Sequence, residues 1–290
     1  MRLDHGSSMA RPGVYFAQVW DNDKGPMNLH EVTRYACYYG WGRLPQLATY
    51  DLVILQAAAY TPQEIAWLGT QGTGALAYLS IGEAPSTEVD APWVIRDPVT
   101  DAPLRNAQWG TLLVDCRYTA WQEHLLSSAI PELLAHGFAG LFLDTVDIQD
   151  HAPHTRPGVV ELLERMRDVY PTTTLVVNRG FSILETVLAG ADGVLFEAFS
   201  THYNGRGYAA WEGADLAWTG ATVVRLRQAS DHIPLFALDY APPEDQELRE
   251  RAKRRAQAYG MASFVAPHQL DWLPEEPAED GQRPGGCRQG

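Results

Sequence analysis

The chain has 290 residues, 46% of them hydrophobic, and a formal charge of −14 at pH 7, with a pI ≈ 5.0; that length and composition suffice for one large α/β core. The acidic balance excludes nucleic acid and anionic membrane surfaces as partners, because both would be repelled, and it favours a cationic ligand. Cys37, Cys116 and Cys287 stand far apart with no C-x-x-C, so neither a disulfide framework nor a thiolate metal site is expected, and no apolar run approaches the roughly 20 residues of a membrane span.

Residues 1–33 read as an N-terminal leader with a short strand at Val14–Trp20, and the first thirty residues hold no apolar stretch of signal-peptide length. The acids of Asp21-Asn22-Asp23-Lys24-Gly25 start like a calcium loop, but the later ligands do not fall in place, which leaves a turn. From residue 34 onward a short apolar strand, a polar loop and a segment of helical period recur. Strands are predicted at 35–40, 51–56, 75–81, 140–144, 174–178, 193–197, 234–239 and 262–266, and helices near 62–70, 119–136, 157–170, 182–190, 208–229 and 243–259. Alternation of this kind, with eight strands, predicts a single α/β domain over residues 34–273, a (β/α)8 TIM barrel. The stretch 82–118 is rich in Pro and turn residues, with one strand-like piece at 112–116. A loop of that length is usually functional, and it is read as a wall of the active-site cleft. Residues 274–290 have almost no apolar content and are expected to be disordered.

Active sites of such barrels lie at the C-terminal ends of the strands. The predicted strands end in or just before Gln56, Glu83, Asp144, Asn178, Glu197 and Asp239. An apolar parallel strand has no packing reason to end in a carboxylate, as Leu141-Phe142-Leu143-Asp144 does. Asp144 and Glu197 are therefore the candidate catalytic pair, two carboxylates at one barrel mouth being the minimum equipment for glycosidic hydrolysis. Asp147, three residues beyond Asp144, is placed to orient it or to contact sugar hydroxyls. Glu83 and the Asp115-x-Arg117 pair are expected to line the same cleft, although Arg117 would serve equally well as the simple partner of Asp115. Tyr38, Tyr39, Tyr78, Tyr203, Trp109 and Tyr240 lie where a ring could stack on a sugar face, or could simply pack.

The segments AYLSIGEAP, WGTLLVDCRYTAWQ, GFAGLFLDTVDIQD, LVVNRGF, GVLFEAF and FALDYAPP, in that order, resemble glycoside hydrolase family 114, and in particular hydrolase domains that act on the Pel exopolysaccharide. The resemblance covers about residues 34–270. It implies an endo-acting barrel that cleaves α-1,4 linkages in polymers of galactosamine and N-acetylgalactosamine, with no cofactor and no metal. It places the catalytic carboxylates at Asp144 and Glu197 and cleft residues at Tyr78, Glu83, Asp115, Arg117, Asn178, Asp239 and Tyr240, with Arg179 beside them in NRGF. By analogy with other retaining α-glycosidase barrels, Asp144 is assigned as nucleophile and Glu197 as acid/base. A partly deacetylated galactosamine polymer is cationic, which suits the acidic chain. Two positions depart from the family pattern: Pro85 stands where a second acid is common after IGEA, and Ala139 where Asp is common in GFDG. The family implies action outside the cell or in its envelope, whereas the lack of an export stretch fits a cytoplasmic protein.

Rival readings are weaker. Metal-dependent barrel hydrolases want His at several strand ends, and this chain offers His151-x-x-His154 in a loop. Phosphate-binding barrels need Gly-rich loops after the last two strands, which APPEDQE and APHQLDW do not supply. The basic cluster at Arg251, Lys253, Arg254 and Arg255 spreads around a helix and reads as a solvated outer face. The rival from another class is a carbohydrate-binding barrel that has lost turnover, against which both carboxylates argue.

Overall fold

The computed structural model describes residues 27–274; the expected strand at Val14–Trp20, the turn at Asp21–Gly25 and the tail from 275 onward lie outside them. Eight parallel strands form one sheet: β1 Tyr35–Tyr38, β2 Leu52–Leu55, β3 Gly74–Ser80, β4 Gly140–Asp144, β5 Thr174–Asn178, β6 Gly193–Glu197, β7 Leu235–Tyr240 and β8 Ala262–Ala266. Each pairs in register with the next. β1 and β8 lie side by side without a ladder, and the Tyr39 amide donates to the Leu270 carbonyl at 2.6 Å across that seam. The sheet is thus a nearly closed barrel, and one domain carries it.

Apolar runs make these strands because both faces are buried, one against the helices and one inside the barrel. Inside, Tyr35 packs edge-on against Phe236, with ring centroids 5.2 Å apart, and against Phe264 at 6.1 Å. Its hydroxyl donates to the Ala237 carbonyl at 2.7 Å, so β1 is pinned to β7. Outside, the helix Pro62–Thr70 starts at a capping box: the Thr61 hydroxyl accepts from the Glu64 amide, and the Glu64 carboxylate accepts from the Thr61 amide at 2.7 Å. The predicted helix at 119–136 is continuous but passes through a π turn at Leu125–Ala129. Pro131 has no amide to donate to residue 127 and its ring would clash there, and the wider turn absorbs both problems.

Two expectations need correction. The stretch 208–212 does not begin a helix: Tyr208–Ala210 is a strand antiparallel to Thr201–Tyr203, and the helix spans Gly213–Ala229. The Asn204 side chain accepts from the Arg206 and Gly207 amides, each at 3.0 Å, and Gly205 takes φ +84°, so the turn chemistry overrides helical periodicity. The stretch 82–118 is also more ordered than a plain loop. Glu83–Ala84 pairs antiparallel with Leu112–Leu113, and the bridges Val94–Val114, Arg96–Pro103 and Arg105–Leu112 tie down the rest.

Side chains alternate along a strand, and this parity decides what reaches the barrel mouth. β7 runs one residue further than predicted, to Tyr240. Tyr240 shares the inner face with Phe236, and Asp239 faces outward beside Val265, its ladder neighbour, and the helix Gln246–Ala258. Asp239 is fully buried and its Oδ1 accepts from the Ser200 and Thr201 amides, at 2.5 and 2.8 Å, which anchors the loop after β6. It is not a cleft residue. Burial raises its carboxyl from 3.8 to about 6, against the pull of those amides and of Arg255. Between those two values the native state binds more protons than the unfolded chain, so this group makes the fold less stable as pH rises from about 4 to 6. The native state above pH 6 therefore carries a cost of up to about 3 kcal/mol from this one charge. Asp239→Asn keeps the acceptor for the two amides and removes the charge. Its melting temperature relative to wild type is expected to be several degrees more favourable at pH 7.5 than at pH 4.5. Melts at both pH values check this, and an equal difference at both would refute it.

Candidate active site

β4, β5 and β6 deliver Asp144, Asn178 and Glu197 side by side, each as the last residue of its strand. In each case the next residue turns the chain sharply away, with Thr145 at φ 57°, Arg179 at φ 60° and Ala198 at φ 54°. Left-handed backbone is costly for side chains other than Gly, most of all for a β-branched Thr, and such strain concentrates at functional sites. The Ser80 and Thr145 hydroxyls, 2.9 Å apart, help to fix the first of these turns.

Each of the four carboxylate oxygens receives one side-chain donor. The Tyr78 hydroxyl donates to Asp144 Oδ2 at 2.8 Å, and the Tyr240 hydroxyl donates to Glu197 Oε1 at 2.6 Å. The Asn178 amide spans the gap, donating one hydrogen to Asp144 Oδ1 at 2.8 Å and the other to Glu197 Oε2 at 2.7 Å. Those two legs meet at one nitrogen, so the bridged oxygens are at most 5.5 Å apart. Burial and then the charge of Glu197 push the Asp144 carboxyl up, while the bonds from Asn178 and Tyr78 oppose the rise. Burial and the neighbouring carboxylates also push the Tyr78 and Tyr240 phenols up, which keeps both hydroxyls protonated as donors.

The other expected site residues divide. Asp147 pairs with Arg179 Nε at 3.4 Å; burial raises its carboxyl, Arg179 lowers it, and the charge of Asp144 adds to the rise. Both sit beside the pair. Glu83 is held by the long excursion, accepting from Asn106 Nδ2 at 2.8 Å and from the Thr111 hydroxyl at 2.7 Å, and its charge falls on Tyr78. Asp115 and Arg117 engage each other rather than Asp144 or Glu197. Arg117 donates through Nε and Nη2, at 3.0 and 2.7 Å, and His154 Nε2 lies 3.7 Å from Asp115. Burial would raise the Asp115 carboxyl, but the Arg117 bonds hold it below its ordinary value.

Tyr38 is a correction. It is buried on the outer face of β1, where its hydroxyl donates to the Trp41 carbonyl at 3.3 Å. The inward residue is Tyr39, whose ring meets Tyr78 edge-on with centroids 5.2 Å apart and whose phenol is raised by burial, Cys37 and Asp144 in turn. Parity along YACYYG is the signal that separates the two tyrosines. On the other flank His268, unremarked in the sequence, collects an aromatic set: Trp109 stacks on it at 5.0 Å, and Tyr203 and Tyr240 lie 4.9 and 5.1 Å away. Gln108 hydrogen-bonds the same ring. The tip of the long excursion is thereby clamped against the loop after β8, next to the tyrosine that holds Glu197.

Among the described residues no group of three or more His, Cys, Asp or Glu is arranged to hold a metal ion, and no helix is long and apolar enough to cross a membrane.

The fold and this placement can be set beside known proteins. No curated protein sequence matches the chain. The glycoside hydrolase domain of PelA from Pseudomonas aeruginosa is 27% identical, with a TM-score of 0.73 over 83% of this chain and 97% of that one. Aspergillus fumigatus Ega3, solved in complex with galactosamine, shares the fold at 13% identity, with a TM-score of 0.62 over 82% of this chain and 92% of its own. An α-galactosidase from Thermus thermophilus shares it more distantly, at 15% identity and a TM-score of 0.51 over 84% of this chain and 59% of its own. The model of glycoside-hydrolase family GH114 matches residues 26–279. With the match spanning the whole barrel and its paired carboxylates, the chain belongs to glycoside-hydrolase family GH114 and is a glycoside hydrolase.

Proposed function

We propose that this barrel cleaves internal α-1,4 linkages in galactosamine- and N-acetylgalactosamine-containing polysaccharide, with retention of configuration. The observation that carries the mechanism is the Asn178 bridge, which holds the two carboxylates within 5.5 Å at their bridged oxygens. Retaining glycosidases place their carboxyl groups about 5–5.5 Å apart and inverting ones roughly 6.5–9.5 Å; the limit on the bridged oxygens is compatible with the shorter spacing, and the analogy with retaining α-glycosidase barrels selects it. The substrate class and the endo mode rest on the family resemblance. The galactosamine bound to the similarly folded Ega3 agrees with that class, and a chain of charge −14 attracts a polymer bearing free ammonium groups. A substrate of this kind lies outside the cell or in its envelope.

In this reading Asp144 attacks the anomeric carbon while Glu197 gives its proton to the glycosidic oxygen, and the leaving chain departs with that proton. Glu197 then takes a proton from water, which attacks the same carbon and releases Asp144. The carboxyl of Asp144, raised by burial and by the charge of Glu197 in the free site, must be ionised before it can attack. Tyr78 and Tyr240 hold the outer oxygens and Asn178 the inner ones throughout. Incubation with partly deacetylated α-1,4-galactosamine polymer, followed by proton NMR of the first products, tests the reading. New reducing ends are expected in the α configuration, with an early fall in polymer size. First-formed β ends would overturn retention, and no cleavage would overturn the substrate.

A further inference from the structure

Beside the catalytic pair, a pocket of ≈ 210 Å³ opens between the loops after β4 and β5 and the helix Gly213–Ala229. Its walls are Asp147, Asp150, Arg179, Phe181, Trp218 and Arg225. Trp218 is 49% exposed although it packs edge-on against Phe181 and Phe196, with centroids 6.2 and 6.0 Å away. Its ring is fixed from behind and open in front. Asp147 and Arg179 neutralise each other at 3.4 Å. Two charges are left over: Asp150 is exposed, with no ion-pair partner among the described residues, and Arg225 donates to the Phe181 carbonyl at 3.1 Å rather than to a carboxylate. The pocket therefore combines a preset aromatic face, one free anion and one free cation, and Asp147 links it to the strand end that carries Asp144.

Resting on the proposed substrate, we propose that this pocket is a second sugar-binding site, which grips an aminosugar unit of the polymer away from the scissile bond. The indole of Trp218 stacks on the ring, Asp150 takes the ammonium group and Arg225 donates to ring hydroxyls. An aromatic face with polar groups at its edges suits a pyranose, which has an apolar C–H face and a hydroxyl rim. An anionic ligand is disfavoured by the two acids, and a purely apolar one by the four charged side chains.

The test compares kcat and KM on the polymer for wild type, Trp218→Ala and Asp150→Asn, with Trp67→Ala as a control that removes another partly exposed indole, on the helix Pro62–Thr70. Trp218→Ala is expected to raise KM for long polymer about tenfold, with kcat within twofold of wild type, and to raise it less as the substrate is shortened. Asp150→Asn, exposed and neutral to folding, is expected to raise KM severalfold on deacetylated polymer and much less on the fully acetylated form. Trp67→Ala leaves KM unchanged. A cleaving wild type with unchanged KM in both pocket variants would overturn the second site alone. A wild type that neither cleaves nor binds the polymer would overturn the substrate and the second site together.

Discussion

Asp144→Asn and Glu197→Gln are each expected to lower release of reducing ends from partly deacetylated galactosamine polymer by about 10³-fold or more, with the fold intact. Acid/base assistance alone contributes roughly 10²–10⁴-fold, and loss of the nucleophile removes the covalent route altogether. Both substitutions keep size and one acceptor oxygen, and each turns the other oxygen, an acceptor for a tyrosine or for Asn178, into an amide nitrogen. Far-UV circular dichroism and melting curves separate a chemical loss from an unfolded protein. Smaller truncations divide the two roles by azide rescue. In Glu197→Ala, azide intercepts the glycosyl-enzyme and yields an α-glycosyl azide; in Asp144→Gly, azide replaces the nucleophile and yields the β anomer. The opposite pattern would exchange the roles, a real alternative because burial and the charge of Glu197 raise Asp144 in the free site. Activity close to wild type in either isosteric variant would remove the pair from the mechanism.

The same alternation that built the site also explains where the sequence misled. The strands at 140–144, 174–178 and 193–197 have the bounds expected, because each is a short apolar run closed by a polar residue, and an apolar run that stops at Asp, Asn or Glu is unambiguous. At the ends of β1 and β7 no such break exists: YACYYG and LFALDY continue polar and aromatic together. Facing alternates residue by residue, so the point at which a strand stops decides which side chain is the last to reach the barrel mouth. Hence the sequence offers Tyr38 alongside Tyr39, and Asp239 alongside Tyr240, although each pair contributes one inward residue. Contacts between distant segments were not legible at all. Trp218 and Arg225 look like ordinary residues of an amphipathic helix, and His268 like a loop residue, until the barrel brings them against Phe181 and Trp109. Nor could spacing along the chain measure the gap between the carboxylates, which is set by the width of two strand intervals and by the Asn178 bridge across them.

Asn178→Ala isolates that bridge. A hydrogen bond to a charged group is worth about 1.5–3 kcal/mol, and the variant loses one to each carboxylate. Some of this loss falls equally on free enzyme and transition state, so the expected fall in kcat/KM is about 10²-fold rather than the full sum. The buried Oδ1 of Asn178 has no hydrogen-bond partner, so removing the amide strands no other group and the fold should survive with a small void. The pH profile carries the sharper expectation. The Asn178 bond lowers the Asp144 carboxyl against burial and the charge of Glu197; without it Asp144 rises further. A nucleophile must be ionised, so the acidic limb of kcat/KM should move to higher pH in Asn178→Ala. In Asn178→Asp a third carboxylate stands within bonding distance of both others, like charges raise one another, and the limb should move further still. An acidic limb fixed in place in both variants would mean that Asn178 only fills space, and the two carboxylates would then be held by Tyr78 and Tyr240 alone.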